Sequence, residues 1–196
     1  MILVITPETL LKNETDIINE MFREGLDLLH IRKPVINREE MKTFLDGIHS
    51  EFYDQLVLHG YYDLGTDYTV ARLHFREADR LAGNYKPYAD KNIISTSVHD
   101  IETFNELGKE WEYAFISPFF PSISKKGYGL DSSIMEDVKR NANPDVKLVA
   151  LGGINENNID KVFENGADGA ALLGGIWESD EPLNAFKKCR KKVLLS

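Results

Sequence analysis

One cysteine in 196 residues, Cys189, leaves no partner for an internal disulfide and no thiolate set for a metal cluster. Positive charge is scarce too: 23 Lys and Arg against 32 Asp and Glu give a formal net charge of −9. The chain therefore lacks the basic surface on which nucleic acid or an anionic membrane would bind. A phosphorylated ligand would need a local positive site instead. No apolar run approaches the roughly 20 residues that span a bilayer, and MILVI opens the sequence as a strand rather than a leader, which predicts a cytoplasmic protein. Low-complexity tracts, linkers and short-period repeats are also missing. The remaining composition, 42% hydrophobic and 28% charged, is ordinary for one folded domain over 1–196.

The most informative stretch is 146–177, VKLVALGGINENNIDKVFENGADGAALLGGIW. LVAL and GAALL are short apolar runs suited to buried parallel strands, and 155–165 between them predicts a helix turning Ile159, Val162 and Phe163 inward. Gly152, Gly153, Gly174 and Gly175 then fall at strand C-terminal ends, where a missing Cβ lets backbone N–H groups approach an anion. A (β/α)8 barrel builds its phosphate site from the loops after strands seven and eight. The rest of the chain keeps the same rhythm. Strand-like runs at 2–6, 26–32, 55–59, 72–75, 92–97, 113–117, 146–151 and 169–173 alternate with amphipathic helical spacing at 14–24, 38–52, 101–107, 132–140 and 182–193. Eight such units imply a closed parallel sheet, a compact TIM barrel with short loops. Helical patterning after the third and fourth strands is broken by Gly65, Gly83 and Pro87, so one or more helices there are expected to be degenerate.

Active sites of this fold collect at strand C-terminal ends. The candidates are His30, Arg32 and Lys33 after strand two, His59 after three, His74 and Asp79 near four, and Ser97 and His99 after five. The loop SPFFPSISKKGYG after strand six adds Ser122, Ser124, Lys125 and Lys126. Each has a plain alternative. His99 opens a helix or moves protons; His30 and His59 are satisfied core groups or ligand contacts; Arg32 pairs with a carboxylate or meets an anion. Asp79 caps a helix or binds metal, the glycines pack or hold phosphate, and the lysines are solvated or meet ligand.

In order and spacing, LLHIRKP near residue 30, ISTSVHD near 97, FISPFFPSISK near 120, LVALGGI near 151 and GADGAALLGGI near 171 resemble the thiamine phosphate synthase and TenI family over nearly the whole chain. The resemblance implies a (β/α)8 enzyme of thiamine biosynthesis that binds a thiazole phosphate. In that family a Gln-x-Arg-x-Lys segment after strand two and an Asn-Asp pair after strand three help hold a pyrimidine diphosphate with magnesium. Here His30 stands for the glutamine, Arg32 keeps the arginine and Pro34 replaces the lysine, while His59 and Gly60 replace the asparagine and the metal-binding aspartate. Asp79 stands for the second metal aspartate. Losing a carboxylate weakens a site for Mg²⁺, which prefers hard oxygen ligands. The other half of the pocket is kept: Ser122, Ile123, Ser124 and Lys125 stand for Thr-x-Thr-Lys, Gly153 for the phosphate glycine after strand seven, and Leu173 with Gly174 for the amides after strand eight.

These departures favour a TenI-type thiazole tautomerase. His99, in the SVH motif, is then the general acid–base that shifts a proton within a carboxythiazole phosphate, chemistry that needs no metal. His30, Arg32, His59, Ser97, Ser122, Ser124, Lys125, Gly153, Leu173 and Gly174 would contact the substrate. One alternative is thiamine phosphate synthase, joining hydroxymethylpyrimidine diphosphate to thiazole phosphate with Mg²⁺, in which Asp79 would hold the metal. The other is a non-catalytic thiazole phosphate-binding protein. The expected partner is a small phosphorylated thiazole, with a homodimer as the family's common assembly.

Overall fold

The computed structural model describes residues 1–121 and 133–195. At its centre is a closed parallel barrel with strands in chain order: β1 (Ile2–Ile5), β2 (Leu28–Ile31), β3 (Leu56–Leu58), β4 (Arg72–Phe75), β5 (Ile93–Val98), β6 (Trp111–Ile116), β7 (Lys147–Leu151) and β8 (Gly169–Leu172). β8 returns to β1 through Ile2↔Ala170 and Val4↔Leu172, so no strand edge is left open. The TIM barrel read from the sequence is present, each strand bound lying within two residues of expectation.

Both faces of these strands are buried, which is why they read as continuous apolar runs. Alternate side chains separate into two cores. Leu3, Val57, Tyr113, Phe115, Val149 and Ala171 fill the barrel interior, whereas Ile2, Val4, Leu29, Leu58, Leu148 and Leu172 face the helices. The interior turns polar on the β2, β4 and β5 side, where His30, His74 and Ser95 are buried.

Helix Glu14–Arg23 buries Ile18, Met21 and Phe22. Helix Arg38–Asp46 starts at a capping box: the Asn37 side chain accepts from the Glu39 and Glu40 amides, and Glu40 accepts from Asn37 N at 2.7 Å. That helix stops well short of the expected 52. Asn19, from the preceding helix, donates to Gly47 O at 3.0 Å and accepts from His49 N at 2.9 Å, which turns the chain into the 3-10 segment Ser50–Gln55. The helix expected over 155–165 begins only at Ile159, because Asn155 and Asn158 tie 155–158 into a turn by accepting from Asn157 N and Asn155 N. After β3 and β4 the helices are degenerate, as expected: Leu64–Asp67, then Glu77–Leu81 and Lys86–Ala89. Tyr62, Phe75, Tyr85, Tyr88 and Trp111 pack there as an aromatic cluster. Helix Pro182–Leu195 covers Glu14–Arg23 and Ile159–Glu164 across the β8–β1 seam. Among the described residues no helix is long and apolar enough to cross a membrane.

Candidate active site at the barrel mouth

A cavity of about 560 Å³ opens at the C-terminal ends of the strands. Arg32 and Arg76, after β2 and β4, stand on one side; Leu173, Gly174 and Trp177, after β8, stand on the other. In a ring of eight strands β4 lies opposite β8 and β2 a quarter turn from it, so Arg76 faces the glycine side across the mouth while Arg32 flanks it. The Trp177 indole is fixed by donating to Ile5 O at 2.8 Å. Arg32 Nη1 bonds Glu8 Oε1 at 2.5 Å and Arg76 Nε bonds Asp79 Oδ2 at 3.0 Å. An entering anion must therefore take each guanidinium from a carboxylate.

Phe115, His59, His74 and Ser97 form the floor. Inward alternation places His30 beneath them, fully buried; His74 is buried and His59 half-buried. His30 Nδ1 lies 2.8 Å from His59 Nε2, and His30 Nε2 lies 2.7 Å from the Tyr113 hydroxyl. His74 Nδ1 and Nε2 lie 2.9 and 3.0 Å from the hydroxyls of Ser95 and Ser97. Burial holds His30 and His59 well below the usual imidazole range, with His74 adding repulsion, and pushes His74 down to about 3 against the pull of Asp79. The floor is thus neutral imidazole at physiological pH. Burial raises the Tyr113 phenol, which stays protonated.

Of the residues singled out in the sequence, Arg32, His59, His74, Ser97, Leu173 and Gly174 converge on this cavity, with His30 directly below. Ser97 is within β5 rather than after it. His99 is half-exposed at the end of β5 and is not among the residues lining the cavity. Its Nδ1 lies 3.0 Å from Ser117 O, a carbonyl that only accepts, so Nδ1 carries the proton and Nε2 points toward Glu77 Oε2 at 3.9 Å. The helix that follows is capped by Asp100, which accepts from Thr103 N at 2.6 Å. Asp79 is neither a helix cap nor a cavity residue. It sits inside Glu77–Leu81, held by Arg76 and by Asn84 Nδ2 at 3.2 Å. Lys33 is turned away from the mouth: its Nζ bonds both Glu14 carboxylate oxygens at 2.7 Å and Thr9 O at 2.8 Å. Ser122, Ser124, Lys125 and Lys126 lie outside the described residues. Arg76, Trp177 and Glu8 escaped the sequence reading; Arg76 follows β4 as His59 follows β3, a placement that would have found it.

The loops after β6, β7 and β8 interlock. Phe119 N and Phe120 N donate to Leu151 O and Gly152 O at 2.9 and 3.1 Å. Gly153 has φ +65°, and a Cβ there would lie 2.2 Å from Pro121 O; one on Gly175 would lie 2.2 Å from Ile154 O. Gly153 is therefore required for packing the β6 loop, whatever ligand it also meets. Leu173 O accepts from Ile176 and Trp177, starting the short helix Gly174–Trp177 at the cavity wall. The first amides of a helix have no intrahelical acceptor and so face outward from its N-terminus.

Magnesium, expected only for the synthase alternative, does not fit what surrounds this cavity. Gly60 offers no side chain, Asp79 and Glu8 are engaged by arginines, and Glu178, the other carboxylate lining the cavity, is a single ligand on the β8 side. Among the described residues, the metal-binding side chains that come within reach of one ion are all imidazoles, a poor match to an ion that demands oxygen.

Comparison with known proteins agrees with the fold. The family described as thiamine monophosphate synthase matches residues 2–176. A thiamine-phosphate synthase of Staphylococcus haemolyticus is 30% identical over 182 residues, covering 80% of this chain and 84% of that protein. A Clostridium tetani protein of the same name is 24% identical over 193 residues, covering 94% and 91%. The crystal structure of a thiamine phosphate pyrophosphorylase from Bacteroides thetaiotaomicron superposes with a TM-score of 0.81 at 25% identity, covering 100% of this chain and 98% of that one. One from Pyrococcus furiosus reaches 0.79 at 23% identity, covering 99% and 95%, and shares the fold. With the match running through all eight strands and the relatives aligned along most of their length, the chain belongs to the thiamine monophosphate synthase family, an enzyme family of thiamine biosynthesis.

Proposed function

We propose that the chain joins a phosphorylated thiazole to a pyrimidine carrying a diphosphate leaving group, giving thiamine phosphate. The observation that carries this reading is a cavity lined by two arginines, Arg32 and Arg76, with the backbone of Leu173 and Gly174 across from Arg76. A carboxythiazole phosphate also carries two anionic groups, but only the synthase reaction releases a diphosphate for two guanidiniums to receive. The synthase names borne by the relatives favour the same ordering. In the reaction, the bond from the pyrimidine methylene to the diphosphate oxygen breaks, and the thiazole nitrogen takes that place on carbon. Negative charge grows on the departing diphosphate, where Arg32 and Arg76 neutralise it once released from Glu8 and Asp79. Phe115, Trp177 and the imidazoles of His59 and His74 present flat aromatic surface to the two rings, with His30 behind them and Ser97 beside them. The thiazole phosphate would rest on the Gly174 end, completed by Gly153, Ser122, Ser124 and Lys125.

The test is product formation from both substrates, followed by chromatography with and without EDTA. Thiamine phosphate should form, and Arg76→Gln should slow it by about 10²-fold, the scale of removing one donor to developing charge. Binding of both substrates without any product would overturn the reading. Gly60→Asp gives a second arm. A Cβ at Gly60 meets nothing within 4 Å, so the variant should fold as wild type, and its added carboxylate should make the rate rise with Mg²⁺.

The tautomerase reading keeps one observation in its favour: the His99 tautomer leaves Nε2 as a base at the end of β5. It predicts metal-independent conversion of the carboxythiazole phosphate tautomer, seen by NMR and lost in His99→Ala. Equal conversion rates in the two proteins would remove it.

A further inference from the structure

We infer that His30, His59 and His74 form a three-imidazole site for a borderline divalent cation such as zinc, open to the cavity at its fourth position. One ring nitrogen from each lies within 4.8 Å of the others. The shortest separation is the 2.8 Å between His30 Nδ1 and His59 Nε2. A tetrahedral zinc bound at about 2.0–2.1 Å holds neighbouring nitrogens roughly 3.3 Å apart, which falls inside that spread. Small ring rotations, greatest for the half-buried His59, are enough to reach it.

The surroundings supply outer partners for two of the three rings. Ser95 Oγ donates to Leu73 O at 3.4 Å and so accepts from His74 Nδ1–H at 2.9 Å, which leaves His74 Nε2 unprotonated; the Ser97 hydroxyl, 3.0 Å away, donates to it and would turn aside for a metal. The buried Tyr113 hydroxyl, 2.7 Å from His30 Nε2, both donates and accepts, so it serves as acceptor for Nε2–H when His30 Nδ1 turns to a metal. Partners of this kind, holding the far nitrogen of a ligand histidine, are the usual outer shell of an imidazole metal site. In the metal-free protein His30 Nδ1 and His59 Nε2 share one proton across 2.8 Å. Metal takes its place and the proton moves to the outer nitrogen of the ring that carried it, so the count of protons is unchanged.

Nearby charge does not forbid a cation. Arg32 and Arg76 act on His59 and Arg72 acts on His30, and each is paired with a carboxylate: Glu8, Asp79 and Glu112. Softness decides the metal: three neutral nitrogens suit zinc, cobalt, nickel or iron, not magnesium or calcium. His59 and His74 line the cavity while His30 lies beneath, so the vacant coordination position points toward bound ligand. The inference stands apart from the proposed reaction, because binding is measured without substrate.

The experiment is titration of the EDTA-treated, desalted protein with Co²⁺, read by visible absorption, with Zn²⁺ uptake by equilibrium dialysis. One equivalent should bind, with the intense bands of a four-coordinate cobalt ion. His59→Gln, at a half-buried position, should abolish that spectrum. Tyr113→Phe should weaken affinity by about 10–100-fold, the cost of losing an outer-shell partner. In NMR spectra Zn²⁺ should shift the ring signals of His30, His59 and His74 and leave those of His49 and His99 in place. No uptake, or uptake that survives His59→Gln, or shifts confined to His49 and His99, would overturn the site.

Discussion

Arg32 and Lys33 are adjacent in sequence and opposite in fate. Alternation along β2 and just beyond it sends His30 and Arg32 toward the barrel axis, and Ile31 and Lys33 toward the helix layer. Lys33 ends almost fully enclosed against Glu14, each side chain no more than 2% exposed, with the Phe44 ring 5.1 Å from Nζ. Burial lowers the lysine and raises the glutamate, and their mutual hydrogen bonds oppose both shifts. Breaking such a pair leaves one buried charge uncompensated. Lys33→Met should therefore cost about 3–5 kcal/mol in urea unfolding, and Lys33→Met with Glu14→Leu should regain most of it. A strand-end rule applied to the sequence gathers both cations into the site; only the period of two, counted from His30, separates them. The imidazole floor makes a second prediction at this scale. A histidine whose folded pKa lies below its unfolded value of 6.5 takes up a proton on unfolding. Stability of the metal-free protein is then full above about pH 6.5 and falls as pH drops toward the folded values, by about 1.4 kcal/mol per pH unit for each proton taken up. Urea midpoints should drop from about pH 7 to about pH 5, and less steeply in His59→Gln.

Among the elements, the glycine turns after β7 and β8 carry the most consequence. Gly153 is strained for any other residue on two counts, its φ of +65° and the 2.2 Å approach of Pro121 O to a built Cβ. Gly153→Ala should lose about 1–3 kcal/mol through overpacking, lowering the melting temperature by about 2–4 °C for each kcal/mol. Phosphate affinity should fall with it, because the β6 and β7 loops separate together; unchanged melting would show that the contact relaxes freely. The sequence announced these turns because glycine pairs after short apolar runs have few other uses, and the barrel was legible for the same reason: strands buried on both faces cannot hide their hydrophobicity. What it hid was long-range. Asn19 ends a helix some thirty positions away, and nothing local to 47–52 records that clip. The Asn155–Asn158 turn is local, yet its side-chain bonds compete with a helix pattern that looks complete in apolar spacing alone. His30, Arg32, His59 and Ser97 were found because their strand register is simple. Arg76 and Trp177 were missed because their importance depends on which strands face each other across the ring.

For the molecule as a whole, a net charge of −9 and an anionic ligand are in tension. The acidic surface repels the ligand at long range, while Arg32 and Arg76 attract it within a few ångströms of the mouth. Screening distinguishes these two distances. Raising salt from about 0.01 M to about 0.1 M shortens the Debye length from roughly 30 Å to roughly 10 Å, which erases far-field repulsion and leaves contact attraction largely in place. The association rate of a phosphorylated thiazole should therefore rise or hold steady over this range, opposite to the steep fall seen where a basic surface steers an anion. Stopped-flow binding monitored through Trp177, on the wall of the cavity, measures it directly. Arg76→Gln should lower the affinity of a diphosphate ligand at both salt concentrations without changing the direction of the salt effect, because the far field belongs to the rest of the surface. A rate that falls steeply with salt would mean that positive potential extends well beyond the mouth and that these two arginines are only part of what draws the ligand in.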